Sequence, residues 1–349
     1  MVNNLNNSID KFLIIKDPHL RLGFRDNIRK PGWEKDMENK HNFIIKYALE
    51  NRIKNIIFTG DIFDKQKQWS FKQFVKNKKI IKKYKESNLE LFSIAGNHDM
   101  IDGRKSFKES PFDELVKENY INHFGILEFD NSIFIGYDYH FIPDTNTKKE
   151  FLVKIENDLK KLNLSKKAFL VLHQNITPNE IQFTDFTYTE LSEFCKQNNI
   201  VGVICGHYHK GYETQYFNDI LFINPWNLWR VVRDYETEFD LHKPEMIELI
   251  INNKEIRYKH IEIPYKKYTE AFDIKELEIQ KELKKETFSF FKKFKSAQDL
   301  KDVSETDDKK LLEKIKEELK EKLKDNKDNS ELTDEKIEKA LKLIQNYLS

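Results

Sequence analysis

Five short apolar runs each end in residues that bind metals or move protons. Phe12-Leu13-Ile14-Ile15 is followed by Asp17-Pro18-His19, and Ile56-Ile57-Phe58-Thr59 by Gly60-Asp61-Ile62-Phe63-Asp64. Leu91-Phe92-Ser93-Ile94-Ala95 is followed by Gly96-Asn97-His98-Asp99. Ala168-Phe169-Leu170-Val171-Leu172 runs into His173, and Ile200-Val201-Gly202-Val203-Ile204-Cys205 into Gly206-His207-Tyr208-His209. Carboxylate with imidazole suits divalent ions such as manganese, iron or zinc, and the lack of cysteine argues against a structural zinc. The candidate ligands are Asp17, His19, Asp61, Asn97, His173, His207 and His209. They are too many for one ion with an open position, and they suffice for two ions if one carboxylate bridges. Two ions held ~3.5–4 Å apart clamp the attacking and leaving oxygens of an in-line phosphoryl displacement. A water bound to such an ion has its pKa lowered toward neutrality. His98 is then free to act on the phosphate or to protonate the leaving oxygen, with Asp99 placed to orient it.

These residues need a scaffold that converges. Short apolar runs with polar ends predict buried strands between covering layers, with ligands gathered at the strands' carboxyl ends. Alternate side chains of extended chain point the same way, so His207 and His209 are expected to aim at one point, with Gly206 letting the backbone turn. Between the runs, the spacing predicts helices over Trp33 to Arg52, Trp69 to Glu86 and 112–118, and a strand over Ser132 to Tyr139. Thr147 with Glu150 reads as a capping box opening a helix through Leu162, and Thr187 with Glu190 as another before Leu191 to Gln197. Hairpins are expected near residue 220 and over Met246 to Ile261. The pattern alternates β and α.

Two charged stretches invite a phosphate-bearing partner. Lys72, Lys76, Lys78, Lys79, Lys82, Lys83 and Lys85 share one helix, either a solvated face or a surface toward nucleic acid. The loop Arg21 to Pro31 carries Arg21, Arg25, Arg29 and Lys30, and reads either as solvated surface or as a phosphate-contacting loop beside the site. After Pro264 the character changes: 269–295 and 305–349 are Lys- and Glu-rich helix formers with narrow stripes at Leu311–Leu323 and Ile337–Ile344.

A net charge of +1, from 60 basic and 59 acidic residues, says nothing by itself of a polyanionic partner. Cys195 and Cys205 make no disulfide framework and read as buried thiols. No apolar run approaches the ~20 residues of a membrane span. The start of the chain lacks the basic segment and apolar core of a signal peptide, so the expectation is no membrane and a cytoplasmic location.

Taken together and in this order, the five motifs resemble those of the calcineurin-like metallophosphoesterases. The resemblance covers residues 17–209 and implies a four-layer α/β/β/α sandwich, followed here by a helical C-terminal region. It implies that Asp17, His19, Asp61 and His209 hold one metal and Asp61, Asn97, His173 and His207 the second, with Asp61 bridging. Within the family, His19-Leu20-Arg21-Leu22-Gly23, His173-Gln174-Asn175-Ile176 and Ile223-Asn224-Pro225-Trp226-Asn227-Leu228-Trp229-Arg230 are similar to the Mre11/SbcD exonuclease subunits. Two departures are Trp226-Asn227, where Gly and a small hydroxyl residue are usual, and Lys16, where a small residue or Ser is usual. The narrower resemblance implies a manganese-dependent DNA exonuclease or endonuclease of a repair and recombination complex of the SbcCD or Mre11–Rad50 kind. Its partners would be DNA, an SbcC/Rad50-like ATPase and a second copy of the chain. Residues 1–265 would form the nuclease domain and 266–349 a helical cap and partner-binding region. The alternatives are a phosphoesterase acting on a small phosphoester, a nucleotide or a phosphoprotein, and a metal-bound scaffold without catalysis. Protein phosphatases of the family usually carry Glu at the position of Asp99, which ranks that variant lower.

Overall fold

The structure, a computed structural model, describes residues 8–23, 29–64, 70–101, 106–162, 164–229, 239–275 and 278. Arg25 and the expected helical segments beyond residue 278 lie outside the described residues. Described residues through 23 and from 31 to 271 belong to one compact unit, which carries the candidate site.

In chain order the elements are β1 (Asp10–Ile15), α1 (Trp33–Glu50), β2 (Asn55–Phe58), α2 (Phe71–Glu86), β3 (Glu90–Ser93), α3 (Pro111–Lys117), β4 (Asn122–His123), β5 (Ile126–Glu128) and β6 (Ser132–Tyr137). Then come α4 (Thr145–Leu159), β7 (Lys167–Gln174), β8 (Ile176–Thr177), β9 (Phe186–Thr187), α5 (Tyr188–Gln197), β10 (Ile200–His207), β11 (Gln215–Phe217), β12 (Ile220–Ile223), β13 (Glu245–Ile251) and β14 (Ile256–Glu262). One six-stranded sheet runs β14-β13-β1-β2-β3-β4 and the other β11-β12-β10-β7-β6-β5. The central strands β1, β2 and β3 are mutually parallel, as are β6, β7, β10 and β12. Their carboxyl ends therefore line up within each sheet.

Burial on both faces explains why these strands are nearly continuous apolar runs. Alternate residues divide between two cores. Phe12, Ile14, Ile57, Phe134, Phe169, Val171 and Ile204 point between the sheets. Leu13, Ile15, Ile56 and Phe58 face the other way, onto Ile44 and Ala48 of α1 and Ile80, Ile81 and Tyr84 of α2. On the second sheet, Leu170, Leu172, Val203 and Cys205 face Phe151 and Ile155 of α4 and Tyr188, Leu191 and Cys195 of α5. The result is helices, sheet, sheet, helices: the expected four layers. Both cysteines are buried, and burial pushes each thiol up to about 12.

Local signals mostly hold, with two corrections. Thr187 and Glu190 form a complete capping box at α5. The box expected at Thr147 does not form. Asp144 caps α4 instead, accepting from the Asn146 and Thr147 backbone N–H, and the helix starts at Thr145. A carboxylate just ahead of the first turn satisfies those free N–H groups and favours the helix's positive end. The second correction concerns β10, which runs on to His207 and turns there at φ 79. The two imidazoles of His207 and His209 consequently join different ligand groups, not one.

The sheets are stitched at their opposite end by Asp10, the first residue of β1. Its carboxylate accepts from the Asn131 N–H at 2.9 Å and the Ser132 hydroxyl at 2.7 Å, at the start of β6. Asp10→Ala leaves those buried donors unsatisfied, at a cost of about 2–3 kcal/mol. Urea titration should show the lower midpoint with bound metal content unchanged; an unchanged midpoint would remove Asp10 from the account.

Candidate metal centre

The five loops deliver their side chains to one spot. Asp17 and His19 follow β1, Asp61 follows β2, Asn97 follows β3, His173 lies near the end of β7, and His207 ends β10. Among the described residues, ligand atoms within 4.8 Å of one another form three groups: Asp17, His19 and His209; Asp61, His173 and His207; and His19, Asp64 and His98. His19 and His209 bring their Nε2 atoms to 2.8 Å. His173 Nε2 lies 3.3 Å from Asp61 Oδ2 and 3.1 Å from Asn97 Oδ1. Asp61 Oδ2 is also 3.7 Å from His19 Nε2, so this carboxylate stands between the first two groups. All seven expected ligands are thus brought together.

The backbone is bent to achieve this. Asp17, His19, Asp61 and His207 have φ of 40, 44, 49 and 79°, in the left-handed region that side chains avoid. Each such residue costs of order 1–3 kcal/mol, which the surrounding hydrogen bonds must offset. The β1 and β2 loops are zipped together: His19 N–H donates to the Asp61 carbonyl at 2.9 Å and Leu20 N–H to that of Ile62 at 2.8 Å. Asp17 accepts from the His207 N–H at 2.9 Å and the Thr59 hydroxyl at 3.0 Å. The His98 N–H donates to Asp61 Oδ1 at 2.8 Å. Glycine at positions 96 and 206 is a matter of space. A Cβ at Gly96 would lie 2.1 Å from Asp61 Oδ1, and one at Gly206 would lie 2.5 Å from the Thr59 carbonyl and 2.8 Å from His173 Nδ1.

The electrostatics suit a cation. Burial holds His207 down to about 3 and His209 down to about 4, and His19 well below its usual value, so these imidazoles are neutral ligands at pH 7. Burial also works against charge on His173, but the Asp61 carboxylate outweighs it and pushes this imidazole up to about 9. His173 Nδ1 donates to the Thr59 carbonyl at 2.7 Å, and that bond assigns Nε2 to the site. Asp61 Oδ2 is buried and makes no hydrogen bond among the described residues. Without an ion, the Asp61 charge is met by a protonated His173 3.3 Å away; a divalent cation bound there takes over that role and leaves His173 a neutral ligand. The donor set therefore fits divalent metal, and its two groups around Asp61 are consistent with a dinuclear site.

Several residues have roles the sequence reading did not assign. His98 Nδ1 is held by the Asp64 carbonyl at 2.5 Å. Asp99, expected to orient His98, instead accepts from the backbone N–H of Gly96 at 3.0 Å and of Ile62 and Phe63 at 3.3 Å each, tying the β2 loop to the β3 loop. The Asp64 carboxylate lies 3.7 Å from His19 Nδ1 and pairs with the Arg21 guanidinium at 3.3 Å. The second carboxylate of Gly-Asp-x-x-Asp was the available signal for it. Lys16 is fully buried and donates to Asn224 Oδ1 and, at 3.4 Å, to the Lys210 carbonyl; burial lowers it to about 8. A lysine after an apolar run carries no mark of burial in sequence. Of the α2 lysines, Lys76 pairs with Glu34, Lys78 with Glu118 and Lys82 with Glu86, while Lys83 and Lys85 bond to Asn42 and the Asn119 carbonyl. Three of the seven α2 lysines are thus paired with carboxylates within the molecule.

A two-sheet sandwich with a buried Asp–His cluster at its strand ends defines a metal-dependent phosphoester hydrolase. Residues 11–211 match the calcineurin-like phosphoesterase family model, and the chain belongs to that family. It is similar to the DNA double-strand break repair protein Mre11 of Methanocaldococcus jannaschii, 29% identical over 217 residues, 60% of this chain and 53% of that protein. The Mre11 protein of Sulfurisphaera tokodaii is 27% identical over 208 residues, 53% of this chain and 48% of its own. The chain thus spans about half the length of these relatives. A crystal structure from Thermus thermophilus superposes with a TM-score of 0.45 and 13% identity, covering 74% of this chain and all of that one. No helix among the described residues is long and apolar enough to cross a membrane.

The geometry predicts how the site fails. Gly96→Ala forces the Asp61 carboxylate away and should strip both ions while leaving the circular dichroism spectrum folded. Asp61→Asn should likewise lose both or at least the weaker, whereas His209→Ala should lose mainly one. Metal analysis of the purified variants checks this, and equal loss of both ions from His209→Ala would contradict the division.

Proposed function

We propose that the chain is a two-metal phosphodiesterase acting on DNA, the nuclease subunit of a repair or recombination complex. One observation carries the hydrolytic part: the buried Asp61 Oδ2 standing between two histidine groups, 3.7 Å from His19 and 3.3 Å from His173, with His98 beside it. The similarity to proteins named for double-strand break repair supports DNA as the substrate. Asp17, His19, Asp61 and His209 would hold one ion, and Asp61, Asn97, His173 and His207 the other, with manganese favoured over iron or zinc. Bound ions supply Lewis-acid activation of water and charge compensation for the phosphate. The chain's own groups do the rest. His98 has Nδ1 fixed by the Asp64 carbonyl and keeps Nε2 for the substrate, where it can steady the phosphate or pass a proton to the leaving oxygen. Asp99 positions the loop that carries Asn97 and His98 through its three backbone bonds.

On this reading residues 1–265 are the nuclease domain, and 266–349 bind a coiled-coil ATPase of the SbcC or Rad50 kind. The narrow Leu312, Ile315, Leu319, Leu323 stripe among Lys and Glu residues supports it, since such a helix gains order in a partner's groove. A second copy of the chain and a cytoplasmic setting complete the proposal.

The test is cleavage of double-stranded DNA with manganese, beside a chromogenic phosphodiester and a phosphomonoester. DNA cleavage is expected. Turnover of the monoester alone would instead favour a small-phosphoester enzyme. His98→Ala should keep its metal and lose turnover by ~10² or more. Metal loss in that variant would make His98 a ligand.

A further inference from the structure

Next to the metal cluster is a cleft of about 420 Å³ that the reaction described so far does not use. The segment 138–140 forms the wall common to both. The Tyr139 ring lies 5.1 Å from that of His207 and 6.1 Å from that of His173, and Tyr139 also lines the cleft. This wall is pinned to the strand ends that carry the ligands. Asp138 Oδ1 accepts from the Ala95 N–H at 2.7 Å, the Tyr139 N–H donates to the Ala95 carbonyl at 2.9 Å, and Gln174 donates to the His140 carbonyl at 2.9 Å. Ala95 precedes Gly96-Asn97, and Gln174 follows His173. The cleft and the cluster therefore keep a fixed relation.

The lining suits a flat aromatic group. The His140 imidazole stacks on Phe151 at 5.1 Å and 4°, and Phe107 packs on His123 at 4.6 Å. At Gly125 no side chain intrudes, since a Cβ there would meet nothing within 4 Å. Polar edge groups are present as well: the Lys154 ammonium, the Asp158 carboxylate and the His123–Asp138 pair at 2.8 Å. Asp158 pairs with Lys161 at 2.8 Å and Asp138 with His123 at 2.8 Å, so the cleft offers an anion one lysine, Lys154, beside two carboxylates and is a poor phosphate cradle. Aromatic walls with a few hydrogen-bonding edges and no excess positive charge match the uncharged part of a nucleotide. The phosphate belongs to the neighbouring cluster. A volume in the range of small-ligand sites leaves room for a single base.

We propose that this cleft seats one unstacked nucleobase of the substrate strand beside the phosphate held at the metal cluster; the proposal rests on the reading of the chain as a nuclease. Stacking on aromatic side chains tolerates any base, so the cleft would grip the strand without reading its sequence.

The test uses the full-length manganese-loaded protein with three substrates: a base-free diester made only of abasic deoxyribose phosphates, a single-stranded oligodeoxynucleotide, and the same strand with an abasic residue moved along it. An abasic residue next to the cleaved bond should raise KM roughly 5- to 100-fold, the range of one lost base stack. His140→Ala and, separately, Lys154→Ala should raise KM for the intact strand, remove the abasic effect and leave the base-free diester unchanged. A flat abasic scan, or equal slowing of diester and strand in both variants, would overturn the proposal. Turnover of the diester without any DNA cleavage would instead sink the nuclease reading. The cleft is then judged on binding alone, by quenching of 2-aminopurine deoxyriboside fluorescence on the zinc-loaded protein. Saturable quenching lost in His140→Ala supports the base site, and its absence in the unmutated protein overturns it.

Discussion

A single buried carboxylate governs this structure. Asp61 sits at φ 49, accepts from the His98 N–H with one oxygen, and holds the other between His19 and His173 with no hydrogen bond to it among the described residues. Its surroundings are arranged so that this oxygen can exist. Gly96 stays out of its way, its carbonyl anchors the His19 amide, and Asp99 clamps the loop on its far side to Gly96. Those contacts hold a group that burial alone would drive neutral, and the His173 imidazole keeps it well below the usual carboxylate range.

The two sheets divide the work. The first supplies Asp17, His19, Asp61 and Asn97 from the ends of β1, β2 and β3; the second supplies His173, His207 and His209 from β7 and β10. Each of the two ligand groups that meet at Asp61 draws on both sheets, so the site exists only when Phe12, Ile57, Phe169 and Ile204 pack the sheets together. Parallel pairing of β7 with β10 sets Gly206 opposite His173, and glycine is what lets the imidazole pass. Folding and site formation are in this sense one event.

Much of this is legible in the chain because strand ends and ligand types coincide. The apolar runs name β1, β2, β3, β7 and β10, and the seven ligands follow them directly. What is not legible depends on contacts distant in sequence. Lys16 reads as an ordinary charged residue until Asn224, from a loop 208 positions away, meets its ammonium. Asp99 reads as a partner of its neighbour His98, yet its oxygens turn to Ile62 and Phe63. Thr147 carries a valid capping signal that Asp144 pre-empts from outside the window. The wall 138–140 has no motif at all, since its position is set by Ala95 and Gln174.

The central claim is that Asp61 joins two metal ions across the sheets. Anomalous diffraction from crystals grown with manganese tests it directly. The account predicts two anomalous peaks ~3.5–4 Å apart, both against the Asp61 carboxylate, one beside His19 and His209 and the other beside His173 and His207. A single peak, or two peaks of which one does not touch Asp61, would contradict it.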